Sequence, residues 1–161
     1  MAIRDATADD FAAILALNAE SERFLSPLAA ARLQHLHAQA AYHRVVELDA
    51  AVVAFLLAFR EDAEYDSPNF RWFVRQFPQF LYIDRVVVAT AAQGRGLGAR
   101  LYDDIIAFAA ARGVTPLTCE FDLDPPNPAS ERFHGRYGFR EVGRQRLANG
   151  KQVSLQARAV G

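Results

Sequence analysis

The feature that most constrains this chain is the segment Gln93-Gly94-Arg95-Gly96-Leu97-Gly98, which stands between an apolar run and an amphipathic stretch. The apolar run 80–88 predicts a strand, and apolar residues at helical spacing predict a helix over about 96–111. Glycines let the backbone approach an anion closely, because no Cβ atom stands in the way. A helix that begins there presents unpaired N–H groups and the positive end of its dipole. The segment therefore predicts a site for a phosphate or pyrophosphate.

Several kinds of glycine-rich segment can bind phosphate groups in this way. The phosphate loop of nucleoside triphosphatases ends in Gly-Lys-Ser/Thr, whereas Gly98 is followed by Ala99. The dinucleotide fingerprint G-x-G-x-x-G/A is matched by Gly94, Gly96 and Ala99, and Glu120 falls near the position of a ribose-binding acid. A dinucleotide fold needs further strand–helix units after that acid, and here a proline-rich loop, one short helix and a hairpin follow. We therefore disfavour a dinucleotide site, and a purely structural glycine turn is the other alternative.

The rest of the chain predicts a mixture of adjacent strands and crossover helices. Strands are predicted over 3–6, 43–48, 52–59, 80–88, 117–121, 139–146 and 152–157. Helices are predicted from Thr7 through about Phe24, after Ser26-Pro27, over about 96–111 with Gly113 as C-cap, and over about 128–137. Residues 61–79 lack a clear period and are predicted to form a long loop with at most one helical turn.

Two tight turns are predicted, one at Asp49-Ala50 and a type I′ turn at Asn149-Gly150. The resulting order, β α α β β β α β α β β, indicates a mixed α/β sheet with helices on both faces. We expect one domain over residues 1–161.

Composition limits the classes of function. The chain has 161 residues and a formal net charge of −1, so it offers no basic face for nucleic acid. No apolar run reaches the roughly 18 residues that cross a membrane, and the first residues lack the apolar core of a signal peptide. His35 and His37 do not share a helical face, and no zinc-ligand spacing occurs, so no metal is expected. We expect a cytoplasmic protein that binds neither nucleic acid nor membrane.

The glycine segment and its surroundings resemble the GCN5-related N-acetyltransferase (GNAT) superfamily. The signature Gln/Arg-x-x-Gly-x-Gly/Ala is matched by Gln93, Gly96 and Gly98. A following strand, a loop that contains Asn127 and a helix that ends in Tyr137-Gly138-Phe139 also match, and the element order agrees over nearly the whole chain. Other segments, such as Tyr82-Ile83-Asp84-Arg85, resemble an uncharacterised bacterial branch of predicted acetyltransferases.

This resemblance implies a mixed, mostly antiparallel GNAT-type sheet and acetyl-CoA (coenzyme A) as co-substrate, without a metal. The glycine segment would hold the pyrophosphate, and the pantetheine arm would lie along strand 80–88 like an added strand. The thiol end would lie beside the helix that follows Asn127. The residues so implied in CoA binding are Val86, Val88, Gln93, Gly94, Arg95, Gly96, Leu97, Gly98, Ala99, Asn127 and Ser130.

The implied reaction needs proton transfer, because an amine acceptor is mostly protonated at neutral pH. The family usually transfers the acyl group by direct attack in one ternary complex. Asp84 follows Tyr82 by two residues on the same strand face and is the candidate base, although a structural ion pair with Arg85 is the alternative. His134 stands where the family often has a tyrosine. It and Tyr137 are the candidate acids, and the absence of any dedicated acid is the third alternative.

Residues 61–79 precede this strand, where the family builds part of its acceptor pocket. Aromatic walls with a few polar groups suit a small-molecule site, so Tyr65, Asn69, Trp72 and Tyr82 are the candidate substrate-binding residues. The alternative is that the aromatic residues only anchor this segment. We predict acyl transfer, specifically of acetyl, to the primary amine of a small molecule. Acylation of a protein N terminus or lysine, and a non-catalytic CoA sensor, are the alternatives. A homodimer through the terminal hairpin is left open.

Overall fold

A computed structural model describes residues 1–22 and 25–161. The strands are β1 (Ala2–Asp5), β2 (Tyr42–Leu48), β3 (Ala51–Arg60), β4 (Leu81–Val88), β5 (Leu117–Asp124), β6 (Arg140–Arg146) and β7 (Gln152–Arg158). They form one seven-stranded sheet in the order β1-β2-β3-β4-β5-β7-β6. Between these strands, only β4 and β5 pair in parallel, and every other neighbouring pair is antiparallel. The predicted mixed, mostly antiparallel sheet is confirmed.

Within the described residues, five α-helices cover the two faces of this sheet. They are α1 (Phe11–Glu20), α2 (Ala30–Gln39), α3 (Pro68–Gln76), α4 (Leu97–Arg112) and α5 (Pro128–Arg136). Single 3-10 turns precede α1 and α4, at Ala8–Asp10 and Thr90–Ala92. The first helix was expected to extend to about Phe24, but α1 ends at Glu20, and Phe24 lies outside the described residues. Among the described helices, none is long and apolar enough to cross a membrane.

The alternation of side chains along the strands divides the core into two layers. Leu56 of β3 packs in one cluster with Leu101 of α4. The neighbouring residue Phe55 packs on the opposite face with Leu17 of α1, and Phe59 packs there with Phe73 of α3. Helices α4 and α5 therefore lie on one face, and α1, α2 and α3 lie on the other, which confirms the expected arrangement on both faces.

Residues 61–79 contain a helix that the sequence analysis did not predict. Helix α3 has nine residues, begins with Pro68 at a favourable first-turn position, and is capped by Ser67. Phe70 and Phe73 are buried against the sheet, whereas Trp72 packs against Gly143 in β6. The prediction of a loop was wrong: Phe70 and Phe73 have the i, i+3 spacing of a helix, and Ser67-Pro68 is a helix-start signal that the sequence analysis overlooked.

The two tight turns also differ from each other. Asp49 and Ala50 have φ angles of 51° and 63°, so the type I′ geometry occurs between β2 and β3 without a glycine. At the second turn, Gly150 has a φ of 87° whereas Asn149 is not among the residues with positive φ. The Leu147 N–H donates to the Lys151 carbonyl at 2.7 Å, so three residues lie between this hydrogen-bonded pair at the end of the hairpin. The type I′ prediction was wrong there, because a three-residue connection places only its last residue in the left-handed region.

A β-bulge and an early separation of strands shape the centre of the sheet. Leu57 of β3 lies opposite Arg85, and the next residue, Ala58, lies opposite Ile83, so Asp84 is the extra residue of β4. Strands β4 and β5 pair only at Leu81↔Leu117 and Tyr82↔Thr118. Beyond these pairs the two strands separate, and a cleft opens between them.

Candidate active site

The cleft between β4 and β5 opens into two cavities that meet at its centre. The α4-side cavity, of about 230 Å³, is lined by Tyr102 of α4 and His134 of α5. The α3-side cavity, of about 590 Å³, is lined by Tyr65 and Asn69 on the opposite face of the sheet. Five residues line both cavities: Leu25, Asp84, Arg85, Glu120 and Asp122. The side chains of Asp84, Glu120 and Asp122 form a carboxyl cluster. Groups bound on opposite faces of the sheet could therefore meet at this cluster.

Glu120 is the carboxyl group of the cluster that carries the clearest perturbation. Its Oε1 accepts a hydrogen bond from the Tyr82 hydroxyl group across the cleft, and it belongs to no ion pair among the described residues. Burial raises the pKa of Glu120 to about 8, with the nearby charges of Asp84 and Asp122 acting in the same direction and the Tyr82 hydrogen bond opposing them. A carboxyl with a pKa near neutrality can accept a proton from an ammonium group.

The sequence analysis considered Glu120 only as a ribose-binding acid and did not identify it as a base. One sequence signal was available, because Glu120 and Asp122 lie two residues apart and therefore on one face of a strand. The short parallel pairing of Tyr82 with Thr118 brings this face next to Tyr82, and that pairing cannot be read from the sequence.

Asp84 lies in the same cluster, with both carboxylate oxygens engaged. Its Oδ1 accepts a hydrogen bond from the Tyr65 hydroxyl group, and its Oδ2 lies 2.6 Å from Nε of Arg85. The side chains of Asp84 and Arg85 are each 5% exposed. Burial alone would lower the pKa of Arg85, but the charge of Asp84 outweighs it and holds that pKa above its ordinary value. The ion pair named as an alternative to a base is thus present, and the role of Asp84 as base stays a prediction.

His134 faces the α4-side cavity as a neutral ring. Its Nδ1 lies 2.7 Å from the Ser130 carbonyl oxygen, which can only accept, so Nδ1 carries the proton. Nε2 is then the acceptor for the Tyr102 hydroxyl group at 2.6 Å. Burial lowers the pKa of His134 and favours this neutral form. Both ring nitrogens are engaged, and Tyr102 is a cavity residue that the sequence analysis did not name.

Two of the predicted catalytic and substrate-binding residues, Tyr137 and Trp72, lie outside both cavities. The Tyr137 hydroxyl group is 2.9 Å from the Ala99 carbonyl oxygen and 3.0 Å from the carboxylate of Asp103, and Tyr137 lines neither cavity. The Trp72 ring packs against Gly143 and likewise lines neither. The structure thus does not bring these side chains to the carboxyl cluster, whereas it brings Tyr65, Asn69 and Tyr82 to the α3-side cavity.

The glycine segment forms an open cradle at the start of α4. Gly94 and Gly96 have φ angles of 82° and 74°, a region that favours glycine. A Cβ atom built at Gly94, Gly96 or Gly98 would meet no atom within 4 Å, so the space above this backbone is free. The first N–H groups of α4, from Leu97 onward, have no partner within the helix. This backbone fits a pyrophosphate, which accepts several hydrogen bonds at a helix N terminus.

The remaining residues implied in CoA binding lie between the cradle and the cluster. Val86, Asn127 and Ser130 line the α4-side cavity. The Asn127 side chain caps α5 by accepting from the Ser130 N–H at 3.3 Å. Val88 packs at the edge of the α4-side core. In residues 1–22 and 25–161, no group of three or more His, Cys, Asp or Glu side chains is arranged to hold a metal ion.

A model of the acetyltransferase (GNAT) family matches residues 5–139, which is most of the sequence. The chain therefore belongs to the GNAT acetyltransferase family, whose co-substrate is acetyl-CoA. Phosphinothricin N-acetyltransferase of Streptomyces coelicolor is 41% identical over 61 residues, which cover 38% of this chain and 34% of that protein. The match thus spans about a third of that curated relative.

Solved structures of related architecture cover the whole chain at low identity. Ard1 from Thermoplasma volcanium has a TM-score of 0.81 at 16% identity, covering 99% of this chain and 97% of that one. The ribosomal-protein-S18-alanine N-acetyltransferase of Escherichia coli has a TM-score of 0.74 at 16% identity, covering 99% and 94%. At these identities the likeness shows the fold alone.

Proposed function

We propose that this protein transfers an acetyl group from acetyl-CoA to the primary amine of a small molecule, in one ternary complex. Membership of the GNAT family supports the donor. The observation that carries the proposal is Glu120, which lies where the two cavities meet, forms no ion pair with any described residue, and has a pKa raised to about 8.

The α4 side suits the donor. The backbone N–H groups from Gly94 to Ala99 would hold its pyrophosphate, with Gln93 and Arg95 beside them, and Val86 and Val88 would pair with its pantetheine arm. Asn127 and Ser130 line the cavity that lies beyond. When bound, acetyl-CoA supplies the acetyl thioester that an amine attacks.

The α3 side suits a small acceptor. A cavity of about 590 Å³ lies within the range of roughly 300–1,000 Å³ that is typical of small-molecule sites. Tyr65, Asn69 and Tyr82 supply an aromatic wall with a few polar atoms. Its size and partial enclosure favour a small molecule over a protein chain, and the name of the Streptomyces relative, which acetylates phosphinothricin, agrees with that class.

In this proposal Glu120 takes a proton from the ammonium group of the acceptor, which frees the nitrogen lone pair for attack. Asp84 could do so only after losing the hydrogen bond of Tyr65 or the ion pair of Arg85. Asp84, the candidate base from the sequence analysis, is therefore to be tested beside Glu120. His134 offers no free N–H toward the cavity in its tautomer, so we propose no dedicated acid.

The test is thiol release from acetyl-CoA in the presence of a panel of primary amines. Removing a general base costs about 10²- to 10⁴-fold in rate, so Glu120→Gln should lose that much kcat/KM, together with the part of the rise of rate with pH that exceeds the ionisation of the amine itself. Asp84→Asn, the matched control, should keep the pH-dependent rise. The reverse result would assign the base to Asp84. Binding of acetyl-CoA without thiol release on any amine would overturn the proposal in favour of a sensor, and release only with peptides would favour a protein acetyltransferase.

A further inference from the structure

Arg85 joins three parts of the protein that are distant in sequence. Its three guanidinium nitrogens each bind a different partner, as the fixed fork of this group allows. Nε binds Asp84, Nη1 lies 3.0 Å from Oδ1 of Asn18 in α1, and Nη2 lies 3.3 Å from Oγ of Ser26 in the α1–α2 connection. The Arg85 side chain is 5% exposed, so water does not compete for these bonds.

The carbonyl group of Ser26 is held from two directions. Nη1 of Arg85 lies 3.4 Å from this oxygen, and Nδ2 of Asn18 lies 3.2 Å from it. Asn18 is itself 1% exposed. Ser26 is therefore fixed to both β4 and α1 through buried polar groups, although it is itself an exposed residue.

The residues fixed in this way form a wall of the site. Leu25 lines both cavities, and Ser26 and Pro27 line the α3-side cavity. Tyr65 lines the same cavity and is held by its hydrogen bond to Asp84, the residue next to Arg85. Bonds to the adjacent residues Asp84 and Arg85 thus hold both Leu25–Pro27 and Tyr65 in place, and in this way they set the width of the α3-side cavity.

We propose that Arg85 and Asn18 are positioning residues that limit the size of the acceptor, because they hold Leu25–Pro27 against β4. The inference rests on the proposed function, in which the α3-side cavity receives the amine. It assigns to Arg85 a role beyond neutralising Asp84. When these few buried hydrogen bonds are lost, residues Leu25–Pro27 move away from β4 and the α3-side cavity becomes wider. A wider cavity discriminates less against bulky amines.

Two variants each remove part of the hydrogen bonding that holds Leu25–Pro27, one at Arg85 and the other at Asn18. Arg85→Lys keeps a positive charge for Asp84, but a single ammonium group cannot reach Asn18 and Ser26 together. Asn18→Ala leaves the Arg85–Asp84 pair intact and removes both bonds that Asn18 makes. Arg4→Gln is the matched control, since it breaks the Arg4–Asp10 ion pair at the other end of α1 and leaves the wall bonds in place.

The readout is selectivity, measured as the ratio of kcat/KM for the best amine to that for the same amine bearing further methyl groups. Because each wall variant removes at least one hydrogen bond of the charged Arg85 side chain, it should lower this ratio at least about 10-fold. The KM for acetyl-CoA should stay unchanged. The double variant should lower the ratio no further than either single variant, because both act on one network. Arg4→Gln should lower the melting temperature and leave the ratio unchanged.

Hydrogen–deuterium exchange of residues 25–28 supplies a readout that needs no substrate. Exchange should be faster in both wall variants than in the wild type and in Arg4→Gln. Unchanged exchange, or faster exchange with an unchanged selectivity ratio, would overturn the inference. Faster exchange in a protein whose wild type acetylates no amine would support the anchoring and overturn the proposed function instead.

Discussion

Replacing Tyr82 with phenylalanine removes the hydroxyl group that donates a hydrogen bond to Glu120 and leaves the buried ring in place. Burial and the charge of Glu120 raise the pKa of Tyr82 well above its ordinary value, so the tyrosine is protonated and is the donor. The bond stabilises the charged carboxylate and lowers the pKa of Glu120 relative to burial alone. Its loss should therefore raise that pKa further above the present value of about 8.

The size of this effect follows from the energy of the bond. A hydrogen bond to a charged group contributes at least about 1.5 kcal/mol, and 1.36 kcal/mol corresponds to one pKa unit. The pKa of Glu120 should rise from about 8 to about 9. At pH 7 the fraction of ionised Glu120 would then fall from about one tenth to about one hundredth. The rate at pH 7 should fall about 10-fold, and raising the pH by about one unit should restore it.

The assay is the pH dependence of kcat/KM for thiol release with one amine. The ionisation of the amine itself is the same for both enzymes, so the difference between the two profiles reports on the protein. Tyr42→Phe is the matched control, because Tyr42 is also a buried tyrosine whose hydroxyl group donates to a carboxylate, that of Asp104. A Tyr82→Phe profile that coincides with the wild type, or that shifts to lower pH, would refute the assignment of Glu120 as the base.

Three further changes have expected outcomes. Gly96→Ala places a Cβ atom on a residue with a φ of 74°, which costs about 1–2 kcal/mol; it should raise the KM for acetyl-CoA in steady-state assays without changing that for the amine. Gly143→Ala would force a Cβ atom against the Trp72 ring and should destabilise the protein by about 1–3 kcal/mol in denaturant unfolding. Because the pKa of Glu120 is raised on folding, to about 8 from 4.5, its burial costs stability progressively as pH rises through this window. Glu120→Gln should therefore raise the melting temperature more at pH 9 than at pH 5, and an equal change at both would contradict this.

The sequence predicted those features that depend on local chemistry. The glycine segment, the strand before it and the helix after it could be located because glycine conformation and apolar periodicity are local properties. The left-handed Gly113 that ends α4, with a φ of 66°, was predicted for the same reason. The placement of Tyr65, Asn69 and Tyr82 beside one cavity came from the position of their segment in the family pattern.

The sequence could not predict features that depend on how strands pair. The bulge at Asp84 exists only relative to β3, where Leu57 and Ala58 lie opposite Arg85 and Ile83. The contact between Tyr82 and Glu120 depends on the two-residue parallel pairing of β4 with β5. Likewise, the Tyr102 hydroxyl group that binds Nε2 of His134 lies 32 residues earlier in the chain. Each of these contacts joins residues whose spacing carries no periodic signal.

The pairing of charges explains which carboxyl group of the cluster is suited to act as the base. Asp84 has the guanidinium group of Arg85, and Asp122 has the ammonium group of Lys151 at 3.4 Å. Among the residues that the structure describes, Glu120 accepts a hydrogen bond only from the neutral hydroxyl group of Tyr82, and this bond and the charge of Arg85 offset the effect of burial on its pKa only in part. The bulge contributes to this distribution, because it directs the consecutive residues Asp84 and Arg85 to the same face. The distribution of charged neighbours thus determines which carboxyl group has a perturbed pKa. For this reason, the position of an acidic residue on β4 alone did not identify that group from the sequence.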